Sequence, residues 1–322
     1  MKNSEFDVIK KYFSFSSSRD DVVISSGDDC AAVSVPAGKK LIITTDTLIS
    51  GVHFPVDTSP DDIAFKSLMV NLSDLAAMGA TPAWLTLAIT LPDVDDRWLS
   101  AFSQQFSSVL TEFNISLIGG DTTRGALSIT IQAMGFCAQE KLLRRDKARV
   151  GDKILVTGDI GDAAIGLRAV LDRIDDEELL TCVDRLNRPE VRIRFAEVLS
   201  RYSRCAIDIS DGLAADLGHI LSASNCGADI KLSDIPLSSA ARYYFDHYHK
   251  SQIDWSMVLT QGDDYELCFT VDSEDELAVK RLAEKHQLKI SCIGNITDSK
   301  KLEFFTDENE LISFPNTGFK HF

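Results

Sequence analysis

Two α/β domains are what this sequence predicts, and three observations carry the prediction. The chain has 322 residues, more than one hydrophobic core comfortably organises, and so divides into two domains of roughly 150 residues each. Short apolar runs with strand character alternate with longer stretches of helical spacing from one end to the other. A basic segment, "EKLLRRDKARVGD", interrupts that alternation near residue 148, which sets the expected domains at 1–147 and 148–322.

The elements follow in order. Residues 5–13 have helical spacing, and "DDVVISSGDDCAAVSV" gives two short strands around a turn holding Asp28 and Asp29. "KKLIITTD" is a continuous apolar run, which suits a strand buried on both faces, and it ends in Thr44, Thr45 and Asp46. A helix is expected next, with Ser59 as N-cap, Pro60 at its first position, acids in the first turn, and Gly79 and Pro82 as stop signals. Phe65, Leu68, Leu72 and Leu75 form its core stripe. Its other faces are also mostly apolar, leaving a narrow polar line of Ser67, Asn71 and Asp74, the mark of a buried helix that points this line at something.

"WLTLAITLP" reads as a strand and residues 97–113 as an amphipathic helix. "ISLIGGDTTRG" reads as a strand, a Gly119–Gly120 turn, and Asp121 with two threonines, while "LSITIQAMGF" alternates as a half-buried strand does. In the second half, "DKILVTGDIGDAAIGL" predicts a strand, a glycine turn and a helix capped by Asp162. Its G-x-x-G is not the dinucleotide fingerprint. "AIDISDGLAADLGHILSAS" predicts a strand ending at Asp208, then Ser210, Asp211 and Gly212 leading into a helix. "MVLTQGDDYELCFTV" reads as strand, acidic turn and strand.

Composition narrows the function. At 44% hydrophobic and 25% charged residues the chain is that of an ordinary globular protein. A formal charge of -16 repels phosphate backbones, which argues against nucleic acid as a partner. Seven scattered cysteines without a C-x-x-C pair fit neither a zinc site nor a disulfide framework. The N-terminal stretch lacks the apolar region of a signal peptide, and no apolar run approaches the roughly 18 residues of a membrane span. The expectation is a cytoplasmic protein with no membrane association.

Five places share one grammar, an apolar element delivering an Asp beside Gly, Ser or Thr: Asp28–Asp29, Asp46, Asp74, Asp121 and the pair Asp208 and Asp211. Hard oxygen ligands without His or Cys suit magnesium or manganese, usually with phosphate oxygens completing the shell. Taken singly, an Asp such as Asp29 or Asp211 reads first as a turn residue or a helix cap. Gathered together they would require cations, because uncompensated buried carboxylates are costly. Thr44 and Thr45 could act as neutral ligands, Gly119–Gly120 could bring backbone N–H groups to a phosphate, and a helix starting near Ser210 could present its positive end to an anion. No P-loop or protein-kinase motif is present.

The segments "GDDCA", "TTDTLISGVHF", "NLSDLAAMGATPAWLTLAITLP", "LIGGDTTRG", "VTGDIGDAAIGL", "DISDGLAADLGHI" and "DDYELCF" together resemble bacterial thiamine-monophosphate kinases, nearly end to end. These share a superfamily with aminoimidazole ribonucleotide synthetase and selenophosphate synthetase. The resemblance implies an α/β (α+β) fold with an N-terminal mixed sheet that pairs in a homodimer and a C-terminal α/β sandwich. It also implies transfer of the ATP γ-phosphoryl group to thiamine phosphate, giving thiamine diphosphate and ADP, with several Mg2+ ions. Asp29, Thr44, Thr45, Asp46, Asp74, Asp121, Asp208 and Asp211 resemble the metal ligands of the family, and Gly120, Asp121, Arg145 and Ser210 its nucleotide contacts. His53, Asp263 and Phe319 resemble its thiamine phosphate contacts, although His53 also suits a structural strand-end role and Phe319 a core anchor. The chain departs from the usual family pattern in having Asp263 for Glu, and Arg145-Asp146-Lys147-Ala148 for Arg-Ser-Gly-Ala. Two rivals remain: another ATP user of the superfamily, and a calcium-storing protein without catalysis.

Overall fold

A computed structural model describes residues 4–15, 19–314 and 318. The chain forms two compact units, the first from residues 1–75 and 80–140, the second from 76–79 and 141–322. Among the described residues no helix is long and apolar enough to cross a membrane. All seven cysteines are free, five of them buried.

The first unit begins with α1 (Glu5–Tyr12), whose N-cap Ser4 and Asp7 form a capping box, and a hairpin of β1 (Val22–Ile24) and β2 (Ala32–Val33). Its main sheet has the order β3 (Lys39–Ile49), β6 (Ser128–Ala138), β4 (Thr81–Leu91), β5 (Ser116–Arg124). β3 is antiparallel to β6, β6 to β4, and β4 is parallel to β5, so the sheet is mixed. α2 (Pro60–Ala77) starts as the sequence predicts, with the Ser59 hydroxyl accepting from the Asp62 N–H at 3.3 Å. α3 (Asp96–Glu112) is capped by Asp95, which accepts from the Arg97 and Trp98 N–H groups.

Two local expectations fail in this unit. The run in β3 is not buried on both faces: among the described residues β3 is an edge strand paired only with β6, and Leu41, Ile43 and Ile49 stand 40%, 53% and 40% exposed on its open side. Gly119–Gly120 is no turn; β5 runs straight through it, with Ile118 as an extra residue in the pairing with β4. Gly120 has φ +155°, and a Cβ there would lie 1.9 Å from the Leu87 carbonyl oxygen, so only glycine lets the two strands approach.

The second unit is built on a seven-stranded mixed sheet in the order β13 (Leu311–Ile312), β12 (Leu302–Phe305), β9 (Gly227–Lys231), β11 (Ile290–Thr297), β7 (Lys153–Thr157), β10 (Leu267–Val271), β8 (Cys205–Asp208). The helices are α4 (Asp162–Leu171), α5 (Leu180–Asn187), α6 (Ile193–Leu199), α7 (Leu213–Ser224), α8 (Ser239–Tyr248), α9 (Trp255–Thr260) and α10 (Glu276–Lys285). One continuous core joins Ile154, Val156 and Ile207 of the sheet to Ile165, Leu217 and Phe245 of the helices. Residues 257–260 belong to a helix rather than the expected strand, because Asp254 caps it by accepting from the Met257 N–H at 3.1 Å. Asp162 is not the cap of α4: Gly161, at φ +90°, holds that place, and Asp162 is buried in the first turn, accepting from the Ser238 hydroxyl at 2.6 Å.

Candidate active site

In the first unit the polar line of α2 does point at something. Residues alternate across β3, which puts Thr44 and Asp46 on the face toward α2. The Thr44 hydroxyl donates to Asp74, and the Asp46 N–H donates to the Asn71 side-chain oxygen at 3.2 Å. Asn71 is fully enclosed, its amide donating to the Ser67 carbonyl at 3.0 Å, so the helix lends β3 a fixed acceptor. Thr44, Asp46 and Asp74 are thus brought to one place, and all are oxygen donors.

The other expected ligands of this unit lie elsewhere. Thr45 faces the opposite side of the sheet, where the Gln132 amide reaches its hydroxyl at 3.4 Å. Asp121 stands in the row Thr47, Thr130, Ala88, Asp121, whose face is fixed by the 2.8 Å contact of the Thr47 and Thr130 hydroxyls. That is Thr45's face, and Asp121 is exposed there with one oxygen accepting from the Thr122 N–H at 2.9 Å. Asp29 is exposed in the β1–β2 turn, its N–H donating to Asp28 at 2.9 Å. His53 follows the end of β3, and its Nδ1 accepts from the Ile49 N–H at 3.0 Å, the structural bond foreseen as one of its two roles.

Among the described residues no three His, Cys, Asp or Glu side chains form a group able to hold a metal ion by themselves. Among the described residues of the first unit, Asp29 and Asp121 do not join Asp46 and Asp74 in such a group. Small sets do suit magnesium, which takes one or two carboxylates and completes its octahedron with water and phosphate oxygens. Thr44, Asp46 and Asp74 fit that chemistry.

In the second unit, Asp208 ends β8 as a buried residue, and Ser210 and Asp211 follow it. The backbone N–H groups of Ser210 and Asp211 both donate to one oxygen of Asp216, at 3.0 Å each. Those donors are consequently spoken for and do not face an anion. Burial, and then the neighbouring Asp208, push the Asp216 carboxyl up to about 8. Arg145 is exposed in a short 3-10 turn, its carbonyl accepting from the Ser224 hydroxyl at 2.8 Å.

The segment 262–266 lies against that loop. The Asp263 N–H donates to the Ser210 carbonyl, the Tyr265 N–H to that of Ile209, and the Ile209 N–H to that of Glu266, each at 2.8 Å. Asp264 is half-buried with its carboxyl turned inward, accepting from the Gly161 N–H at 2.9 Å through one oxygen, while its other, enclosed oxygen has no hydrogen-bond partner among the described residues. Burial, then nearby Asp162, Glu266 and Asp263, hold its pKa well above the usual carboxylate range. Phe319 lies outside the described residues. Asp216, Asp264 and Glu266 escaped the sequence reading, although all sit within or beside motifs it singled out; Arg192 and Thr157, which bind Glu266, are too far along the chain for any local signal.

Comparison with known proteins gives these features a setting. Residues 27–137 match the family model "AIR synthase related protein, N-terminal domain", and residues 149–307 match the corresponding C-terminal domain model. The thiamine-monophosphate kinase of Haemophilus influenzae is 44% identical over 331 aligned residues, spanning 100% of this chain and 99% of that protein. That of Escherichia coli K12 is 43% identical over 100% of this chain and 99% of its own length. Among solved structures, thiamine-monophosphate kinase from Stenotrophomonas maltophilia superposes with a TM-score of 0.84 at 41% identity, covering 92% of this chain and 93% of that one. AaThiL complexed with AMPPCP and TMP superposes with a TM-score of 0.78 at 28% identity, covering 92% and 91%.

Proposed function

Because this chain belongs to the thiamine-monophosphate kinase family, within the AIR synthase related proteins, we propose that it transfers the γ-phosphoryl group of ATP to thiamine phosphate, giving thiamine diphosphate and ADP. The observation that carries the reading is likeness over the whole chain, at 44% identity, to a protein of that name. The geometry adds a strand and a helix that bring hard oxygen donors together at Thr44, Asp46 and Asp74.

The acceptor is a phosphate monoester with a second pKa of about 6, already a nucleophile at neutral pH. No side chain has to remove a proton, and none is assigned as nucleophile or base. An acceptor oxygen forms the new P–O bond in line with the bond that breaks to ADP, with no phospho-enzyme between. Bound magnesium ions would supply charge neutralisation where the two polyanions meet. Asp46, Asp74 and Thr44, and separately Asp208 and Asp211, are the residues that would hold them, with Asp29, Thr45 and Asp121 as further ligands. Gly120, Asp121, Arg145 and Ser210 would contact the nucleotide, and His53, Asp263 and Phe319 the acceptor. Arg145 supports this role by offering an exposed cation in a protein of charge -16.

In this reading residues 1–147 bind metal and ATP and form a homodimer, while 148–322 supply further nucleotide and acceptor contacts, in a cytoplasmic enzyme. The dimer is supported by the exposed Leu41, Ile43 and Ile49 on the open face of the first sheet. Incubation with ATP, magnesium and thiamine phosphate tests the function. ADP should form only when that acceptor is present, and Asp46→Asn should abolish transfer while leaving the circular dichroism spectrum unchanged. Tight calcium binding without turnover would mark a metal-storage protein instead.

A further inference from the structure

Residues 262–265 hold an uncommon backbone. Gly262, Asp263 and Tyr265 have φ of +70°, +68° and +52°, and the last two are not glycine. Left-handed backbone at such residues persists only where the surroundings impose it. The three backbone bonds to residues 209 and 210 are one constraint. The other is the side chain of Glu266, which closes the segment. It is buried, and its oxygens accept from Thr157 Oγ1 at 2.5 Å, from Arg192 Nε at 2.6 Å, and from Arg192 Nη2. Gly158 leaves it room, since a Cβ there would lie 1.9 Å from Glu266 Oε1. Arg192 is held in turn by Glu190, whose oxygen accepts from Nη1 at 2.8 Å.

A buried ion pair is a weak source of stability, since a well-packed apolar pair would often serve as well. What a two-pronged guanidinium bond supplies is a fixed direction. We infer that Arg192 is a positioning residue for the acceptor: through Glu266 it sets the left-handed turn that displays Asp263 to thiamine phosphate. Arg192 touches no substrate in this arrangement. The inference rests on the kinase reading and on Asp263 as an acceptor contact.

The test measures KM for thiamine phosphate and for ATP, with kcat, in the full-length enzyme. Arg192→Lys keeps the charge and loses the fork. The pair Arg192→Met with Glu266→Gln removes both charges together, so no lone charge is left buried if the single variant folds poorly. Each should raise KM for thiamine phosphate by about tenfold, with KM for ATP and kcat within about threefold. Asp263→Ala should raise the same KM, and adding Arg192→Lys to it should produce little further rise, because both act through one contact. A merely structural role would not produce that non-additivity. An unchanged acceptor KM in the folded variants, or in Asp263→Ala, overturns the inference, as does full additivity, while the parent's turnover leaves the kinase reading standing. A parent without turnover overturns both.

Discussion

Thr157 offers the most direct check on the buried network of the second unit. Its hydroxyl donates to Glu266 at 2.5 Å and accepts from the Leu267 N–H at 2.8 Å, and the residue is wholly enclosed. Thr157→Val keeps the shape and removes both bonds without opening a cavity. A hydrogen bond to a charged group contributes about 1.5–3 kcal/mol, and a buried N–H left unpaired costs about 1–3 kcal/mol. Taking both near their lower ends, the substitution should destabilise the unit by about 3 kcal/mol. For a domain of about 150–250 residues that is a fall in Tm of about 6–12 °C. Thr157→Ser keeps the hydroxyl, loses one methyl, and should cost only about 0.5–1.5 kcal/mol. Thermal melts followed by circular dichroism give both values. A valine variant melting within 2 °C of the parent would refute the network as described.

Three further outcomes are expected. Gly120→Ala should destabilise the first unit by about 3 kcal/mol in urea titration, since its Cβ meets the Leu87 carbonyl at 1.9 Å, while Gly119→Ala, whose nearest neighbour is 3.9 Å away, should stay within about 1 kcal/mol. Asp264 holds its proton in the folded state at pH values where the unfolded chain, with a carboxyl near 3.8, has released it, so the parent loses stability as pH rises above that value. Asp264→Asn has no proton to lose, and its Tm advantage over the parent should grow from pH 5 to pH 8; an equal difference at both would contradict the assignment. Ile43→Glu, on the open face of β3, should convert the proposed dimer to a monomer in sedimentation velocity, and an unshifted dimer would exclude that face.

Much of the first unit was legible because its signals are local. Ser59, Pro60 and the apolar spacing fixed the start and core of α2, and the narrowness of its polar line marked it as facing something, though not that Asn71 and Asp74 would accept hydrogen bonds from β3. Short apolar runs were less informative. The run in β3 could equally be a central or an edge strand, and residues 257–260 could be strand or helix, since a stretch of that length carries no decisive period. Asp121 shows how a site escapes such reading. With unbroken pairing between β4 and β5 it would share a face with Asp46, but the extra residue Ile118 turns every later side chain of β5 over. The bond between Arg192 and Glu266 joins positions 74 apart, and nothing in either neighbourhood announces it.

The stitching of segment 262–266 to residues 209 and 210 runs through peptide groups, which every amino acid carries. These bonds that hold the loop therefore do not involve the side chain at position 263. Asp263, one methylene shorter than a glutamate would be, sets how far a carboxylate extends without altering where it starts. If Asp263 meets the acceptor as proposed, choice of acceptor can thus drift by exchange of a single side chain, while the frame that carries it stays put.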